Sequence, residues 1–489
     1  MKHLHLLCTL LFGVAVFLFF GLAYPHHLHY QEQFQLFLFD SNYVWEIMKL
    51  PGGIADLLGR FSTQFFLFAW VGALIIAVLL STVQLLTLRL FNVQCSARPK
   101  DVCYRRDARM VNGQWSMVNG QWSYGISFVP SFLLWLFLLD ENALLGGVWG
   151  ILLTQFVLWG LVRLPDGWVR RILIVVAFAL LYWMAWGGSH YYRNPSIFPT
   201  LLYAAWLSAI IIPLVMWFVV RGKKSENAQQ KNNSLTSHLL PLTSFLLVSV
   251  VMGSLIWKNS NFKAEKVMGY DFMACHQQWN RILETVNAEK PNNQIGVTVQ
   301  NLALAMHGML ADHLFDYNQN GIAGLLPDVK EDATSPMPTA EAFYQLGMIY
   351  VAQRTVFEAQ EAILDFQKSG RCYKRLAQTN LINGQYGVAR KYLMALQKTL
   401  FYRDWANETL PLLGNEEAIA KHPEYGRLRK SVYDNNFFFS DHVTPEMLED
   451  LFFSNTDNRL AFEYLKAYYM LTGDREGYAQ LLLHTSNKQ

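Results

Sequence analysis

Long apolar runs separated by short charged segments fill the first 257 residues of the chain and then stop. The runs are Leu6–Ala23, Phe65–Leu88, Ile126–Leu139, Leu144–Val162, Ile172–Trp186, Phe198–Val220 and Leu239–Trp257. The last has 19 residues without a charge, about 28 Å of helix, enough to cross a hydrocarbon core. The pattern predicts an all-α protein with about seven transmembrane helices in residues 1–257 and a soluble helical domain in 258–489. Leu6–Ala23 follows a single Lys2, is long for a signal peptide and precedes no A-x-A site, so we expect an uncleaved first span. Ile126–Leu139 is short and contains Pro130. It and its successor are separated only by Asp140, Glu141 and Asn142, so a re-entrant hairpin is an alternative that leaves the parity of crossings unchanged.

The connector Tyr24–Arg60 between the first two spans is where polar chemistry gathers. Pro25 marks the exit from span one. Asp40-Ser41-Asn42 offers a helix N-cap before Tyr43–Leu50, and Pro51-Gly52-Gly53 breaks the chain before Ile54–Leu58. Two short amphipathic helices at the membrane interface are expected, with Tyr and Trp at headgroup depth. Glu32, nine residues past the span, is the candidate general base toward an acceptor hydroxyl, and Asp40 is a second carboxylate in the same loop. His26, His27 and His29 form a cluster suited to a diphosphate or a metal. Against both stands the plainer expectation that interfacial charges and imidazoles are simply solvated.

Beyond Phe262 the apolar positions recur as helix pairs of 30–40 residues. In Arg375–Leu400, Leu376 and Ala377 share one face, Asn383-Gly384-Gln385 turns, and Ala389 and Leu393 bury the second helix. Asn458–His484 repeats the theme around Thr472-Gly473-Asp474, with Tyr270–Ala288 and Ala340–Asp365 as degenerate versions. The pattern is similar to tetratricopeptide repeats at the Leu, Ala and late aliphatic positions, without the usual Trp and terminal Pro. Such repeats stack into a solenoid whose concave face usually binds a partner. Asp316–Gly321 opens like an EF-hand loop, but position 12 is Pro327, so an Asn-Gly turn explains it better.

Charge adds topology. The first 257 residues hold 17 Lys+Arg against 10 Asp+Glu, and the tail holds 23 against 27. An acidic tail with no basic stripe excludes nucleic acid as the expected partner. Loops after spans two, four and six carry 6, 3 and 4 Lys+Arg, and those after spans one, three and five carry 2, 0 and 1. Retaining the basic loops inside puts the N-terminus in the cytoplasm and, after an odd number of crossings, the tail in the periplasm. The basic loop after span two contains MVNGQWS twice, at Met110–Ser116 and Met117–Ser123, a duplication in a tolerant loop in which Trp115 and Trp122 are a less favoured functional pair. The five cysteines match no zinc spacing. Cys275 and Cys372 are expected as free buried thiols, with pairing as the alternative.

Within Tyr30–Phe68, the stretches HYQEQFQLFLF, PGGIADLLGRF and STQFF resemble an uncharacterised family of bacterial multi-span proteins with tetratricopeptide-like tails. That resemblance implies architecture and no activity. A second, topological likeness is to GT-C glycosyltransferases, whose first outer loop bears a catalytic acid between interfacial helices. It implies Glu32, or failing that Asp40, as the acid and a polyprenyl-phosphate-linked sugar as donor. The paired Asp-Glu of many members is absent here. The sequence therefore leads to a GT-C-like glycosyltransferase of the inner membrane, with no cofactor and no metal-ligand set assigned. The alternative is a non-catalytic scaffold that recruits envelope proteins. A transporter ranks third, because no ionisable residue lies in the apolar cores of the spans.

Overall fold

The computed structural model describes residues 2–50, 52–96, 124–164, 234–328, 336–363, 367–432 and 445–486, with the short pieces 167–169, 172–177, 204–205 and 207–209. The basic loop with its tandem heptads, most of spans five and six, and the linker before span seven lie outside the described residues. Among those described, every regular element is helical, apart from one isolated bridge between Asn320 and Ile322. The chain divides into two units. One comprises Met1–Glu32 and Ser41–Phe262, and the other comprises Gln33–Asp40 and Lys263–Gln489. The division falls between Phe262 and Lys263, and eight residues of the connector belong to the second unit.

The first unit contains α1 (Lys2–Leu18, prolonged by a π turn to Ala23), α2 (Pro25–Glu32), α3 (Ser41–Met48) and α4 (Gly53–Thr63). It continues with α5 (Ala69–Ser96), α6 (Val129–Phe137), α7 (Leu145–Val162) and α8 (Ser234–Asn259). Three stretches, Leu4–Ala23, Ala69–Leu90 and Leu242–Asn259, are long and apolar enough to cross a membrane. Tyr124–Phe137 and Leu145–Leu161 are apolar but shorter, in keeping with the abbreviated third span.

Polarity in this unit is inverted. On α1, Cys8, Phe12, Val16 and Phe20 recur every fourth residue and pack inward, while Leu6, Leu10, Val14, Leu18 and Leu22 recur on the same period facing out. Inside, uncharged polar groups satisfy one another. Thr9 donates to Gln84 Oε1 at 3.0 Å, Gln84 donates to Ser127 at 2.9 Å, and Gln155 donates to Thr87 at 2.8 Å. An apolar exterior over a hydrogen-bonded interior is the arrangement a lipid solvent requires.

α4 packs against α7 at near-backbone contact. A Cβ on Gly59 would lie 2.6 Å from Gly146 Cα, and Trp149 Nε1 donates to Ser62 Oγ at 3.1 Å. Small residues set this approach.

The second unit is a series of antiparallel helix hairpins: α9 (Phe262–Cys275) with α10 (Trp279–Glu289), then α11 (Gln294–Met306). α12 (Pro336–Leu346) pairs with α13 (Ile349–Ala362), and α14 (Gly370–Ile382) pairs with α15 (Tyr386–Leu396). α16 (Arg403–Thr409), α17 (Glu416–Lys421), α18 (Pro423–Lys430), α19 (Pro445–Ser454), α20 (Arg459–Thr472) and α21 (Arg475–Ser486) complete it. The anticipated faces are observed: Leu376, Ala377, Ala389, Leu393, Tyr464 and Leu465 are buried. Gly384 and Gly473 turn their hairpins at φ +75° and +73°, a conformation glycine adopts without strain. Gly321 likewise adopts φ +64° in the Asn-Gly turn. Its neighbours Asn318 and Asn320 donate their amides to the carbonyls of Lys290, Pro291 and Asn292, so those side chains brace a loop.

Gly59→Leu is expected to force α4 from α7 and destabilise the protein by on the order of 3 kcal/mol. Gly160→Leu, with open space around it, should be neutral. Thermal unfolding midpoints of the detergent-solubilised variants check this pair.

Candidate functional site

The connector carries the candidate chemistry, and the structure assigns its residues to different tasks. In α2, His27 is fully buried and its Nε2 lies 2.9 Å from the Leu138 carbonyl. A carbonyl can only accept, so the ring carries its proton on Nε2. Gln31 Nε2 donates to the carbonyls of Asp140 and Ala143, each at 3.3 Å. Together these bonds seat α2 on the turn between α6 and α7. Burial drives the His27 pKa down to about 4, although the Leu138 carbonyl and the Asp140 charge pull it the other way. His27 is a neutral structural imidazole at pH 7. His26 and His29 keep company on the other side of the helix, their ring centroids 6.2 Å apart. The expected three-histidine cluster is therefore divided. Among the described residues, no three His, Cys, Asp or Glu side chains converge to hold a metal ion.

Glu32 ends α2 and is 8% exposed. It belongs to the first unit, whereas Asp40 belongs to the second, where Lys398 Nζ donates to its Oδ2 at 2.5 Å. The Lys398 side chain is half-exposed, which limits that ion pair to about 1 kcal/mol or less, but it occupies the Asp40 carboxylate.

Three constellations escaped the sequence reading. Asp56 and Arg60 form an ion pair on α4, with Nη2 to Oδ2 at 2.8 Å, and both side chains are nearly buried. Burial opposes the Arg60 charge, but Asp56 and Tyr43 more than offset it, so its pKa stands above the ordinary arginine value. The i, i+4 spacing in GIADLLGRF was the available signal. Among the helix pairs, Arg371 grips both oxygens of Asp271, at 2.5 and 2.8 Å, and also reaches Gln33 Oε1 at 3.3 Å. Nearby, Arg375 pairs with buried Glu341 and lies 3.7 Å over the Tyr344 ring, while Tyr344 donates to Glu424 at 2.8 Å. These partners come from separate helices, so no local spacing announces them.

Cys275 and Cys372 are both free; Cys372 is buried as expected, whereas Cys275 is only partly buried. Burial pushes the Cys372 thiol up to about 11, and its Sγ contacts Met337 Sδ at 3.6 Å, which makes it an inert packing group.

Fold and site together define an all-helical protein with helices long and apolar enough to cross a bilayer, joined to a unit of helix hairpins. The chain belongs to a family of unknown function, DUF6057, whose profile matches residues 2–190 and 185–489. The expected membership of an uncharacterised family is thereby established. No curated protein and no solved structure matches the chain, so neither comparison supplies a tetratricopeptide or GT-C relative.

The neutral His27 has a pH signature. Its pKa in the folded state lies below the ordinary 6.5, so its contribution is complete above about pH 6.5 and is lost as the pH falls toward 4. Protonating it in place costs on the order of 3 kcal/mol. The thermal midpoint of the purified protein should fall between pH 6.5 and 4, and His27→Gln, which can still donate to Leu138, should flatten that fall.

Proposed function

We propose that this protein is a membrane-anchored scaffold of the bacterial envelope. In this reading the helical tail is a tetratricopeptide-like solenoid that recruits partner proteins on the periplasmic side. The observation that carries the reading is the inclusion of Gln33–Asp40 in the tail's own fold. A connector between two membrane-crossing helices lies on one side of the bilayer, and a segment folded into the tail supports a tail on that same side. With the basic loops held inside, that side is the periplasm. Successive helix hairpins with buried Leu, Ala and Tyr supply the solenoid. Asp40 serves an ion pair, and His27 anchors α2. These two polar residues of the connector are thus engaged in architecture.

A second reading rests on Glu32, a buried carboxylate at the end of α2. In that reading the protein is a GT-C-like glycosyltransferase that takes a polyprenyl-phosphate sugar, with Glu32 as general base and the tail presenting the acceptor. Seven crossings with the N-terminus in the cytoplasm serve both readings.

Three strains separate them: one lacking the gene, one carrying Glu32→Gln, and one carrying the protein cut after Trp257. The scaffold predicts that Glu32→Gln restores the envelope phenotype of the deletion with surface glycans unchanged, while the truncated protein does not. The enzyme predicts that Glu32→Gln reproduces the deletion and its altered glycans. A phosphatase fused at Gln489 should be active outside the cytoplasm, and a cytoplasmic location would overturn both.

A further inference from the structure

Gln33–Asp40 lies in the tail as a peptide lies in a receptor. The segment is non-helical from Phe-rich start to acidic end, and its Leu36 and Phe39 amides donate to the carbonyls of Lys368 and Lys398 at 2.8 and 2.6 Å. Lys368 stands just before α14 and Lys398 just after α15, so the two lips of the groove lie side by side at the open end of one hairpin. Gln35, Leu36 and Phe37 are buried, and Phe39 stays half-exposed with its ring edge-on to Phe37 at 5.1 Å. A cation stands at each end: Arg371 on Gln33, and Lys398 on Asp40. Backbone bonds, buried apolar side chains and a cation on an acidic side chain are the components of extended-peptide recognition.

The lips are held by contacts of their own. The Gln360 side chain donates to the Gln367 carbonyl at 3.1 Å and accepts from the Ser369 amide at 3.0 Å. Gly370 admits the Tyr402 ring so closely that a Cβ there would lie 2.5 Å from it. The groove is therefore shaped by residues other than the segment it holds. The segment is held by its Leu36 and Phe39 amides, by Arg371 on Gln33, by the half-exposed Lys398–Asp40 ion pair and by its buried side chains.

We propose that this groove is a peptide-binding site for an extended segment with Leu-Phe at its centre and a carboxylate three residues further on. Gln33–Asp40 is its resident occupant, displaced when a partner chain presents the same pattern. The proposal rests on the scaffold reading and gives the partner's chemistry.

The test uses the full-length protein in lipid nanodiscs and a labelled peptide with the sequence of residues 31–42. Hydrogen exchange of the wild type should show the amides of 33–40 exchanging at least tenfold faster at saturating peptide, with α14 and α15 unchanged. The double variant Leu36→Asp, Phe37→Asp vacates the groove and should bind the peptide at least tenfold more tightly than the wild type. Lys398→Glu in that background should weaken binding, and a peptide with Lys in place of its Asp should restore it, which a purely structural contact would not do. If the double variant loses its helicity, the wild-type exchange experiment decides alone. Unchanged protection of 33–40 at millimolar peptide overturns the proposal, and it does so whatever the strain comparison says about the scaffold.

Discussion

The structure turns on one threading constraint. The chain leaves the first unit at Glu32, contributes eight residues to the second, and returns at Ser41. The bonds that receive those residues come from Lys368 and Lys398, more than three hundred positions later. Contacts of such sequence separation form late, because loop-closure entropy must be met before they reward it. The helix hairpins are built from neighbours in sequence, and the groove lips carry bracing of their own through Gln360 and Tyr402.

The same constraint distributes the charges. In the first unit the buried partners along the spans are neutral: Gln84 with Thr9 and Ser127, and Gln155 with Thr87. A neutral amide that loses its partner in a low-dielectric interior forfeits one hydrogen bond, whereas an orphaned charge costs several times more. The buried charges described in that unit lie on connector helices: the paired Asp56 and Arg60 on α4, and Glu32 at the end of α2. In the second unit, Arg371 and Arg375 are buried with carboxylates from other helices, Asp271 and Glu341. Such pairs add little net stability against apolar substitutes, but they penalise any register that separates them. They are suited to fixing which hairpin neighbours which.

The legible part of this fold was the part written in local periodicity. The glycine turns at 384 and 473, and the faces carrying Leu376, Ala389 and Leu393, follow from spacing alone. The π turn at Phe19–Ala23 was not legible, since nothing in its composition distinguishes it from the helix it prolongs. QFQLFLFD was the subtler case. Its apolar run suits a buried extended segment, yet its place between two spans suggested helices lying on the membrane. The long-range acceptors at Lys368 and Lys398 decided between them, and no local pattern contains that information.

The histidines illustrate the same limit at the level of chemistry. Three imidazoles within four residues look like one site in sequence, but a helix turns 100° per residue and sends His27 away from His26 and His29. Once His27 points inward, the Leu138 carbonyl fixes its tautomer and burial keeps it neutral, so its nitrogen is committed before any ligand arrives. Asp40 undergoes the same fate through Lys398. Of the polar residues that drew attention to the connector, these two have been converted into anchors, one holding α2 to the membrane unit and the other holding the segment to the tail.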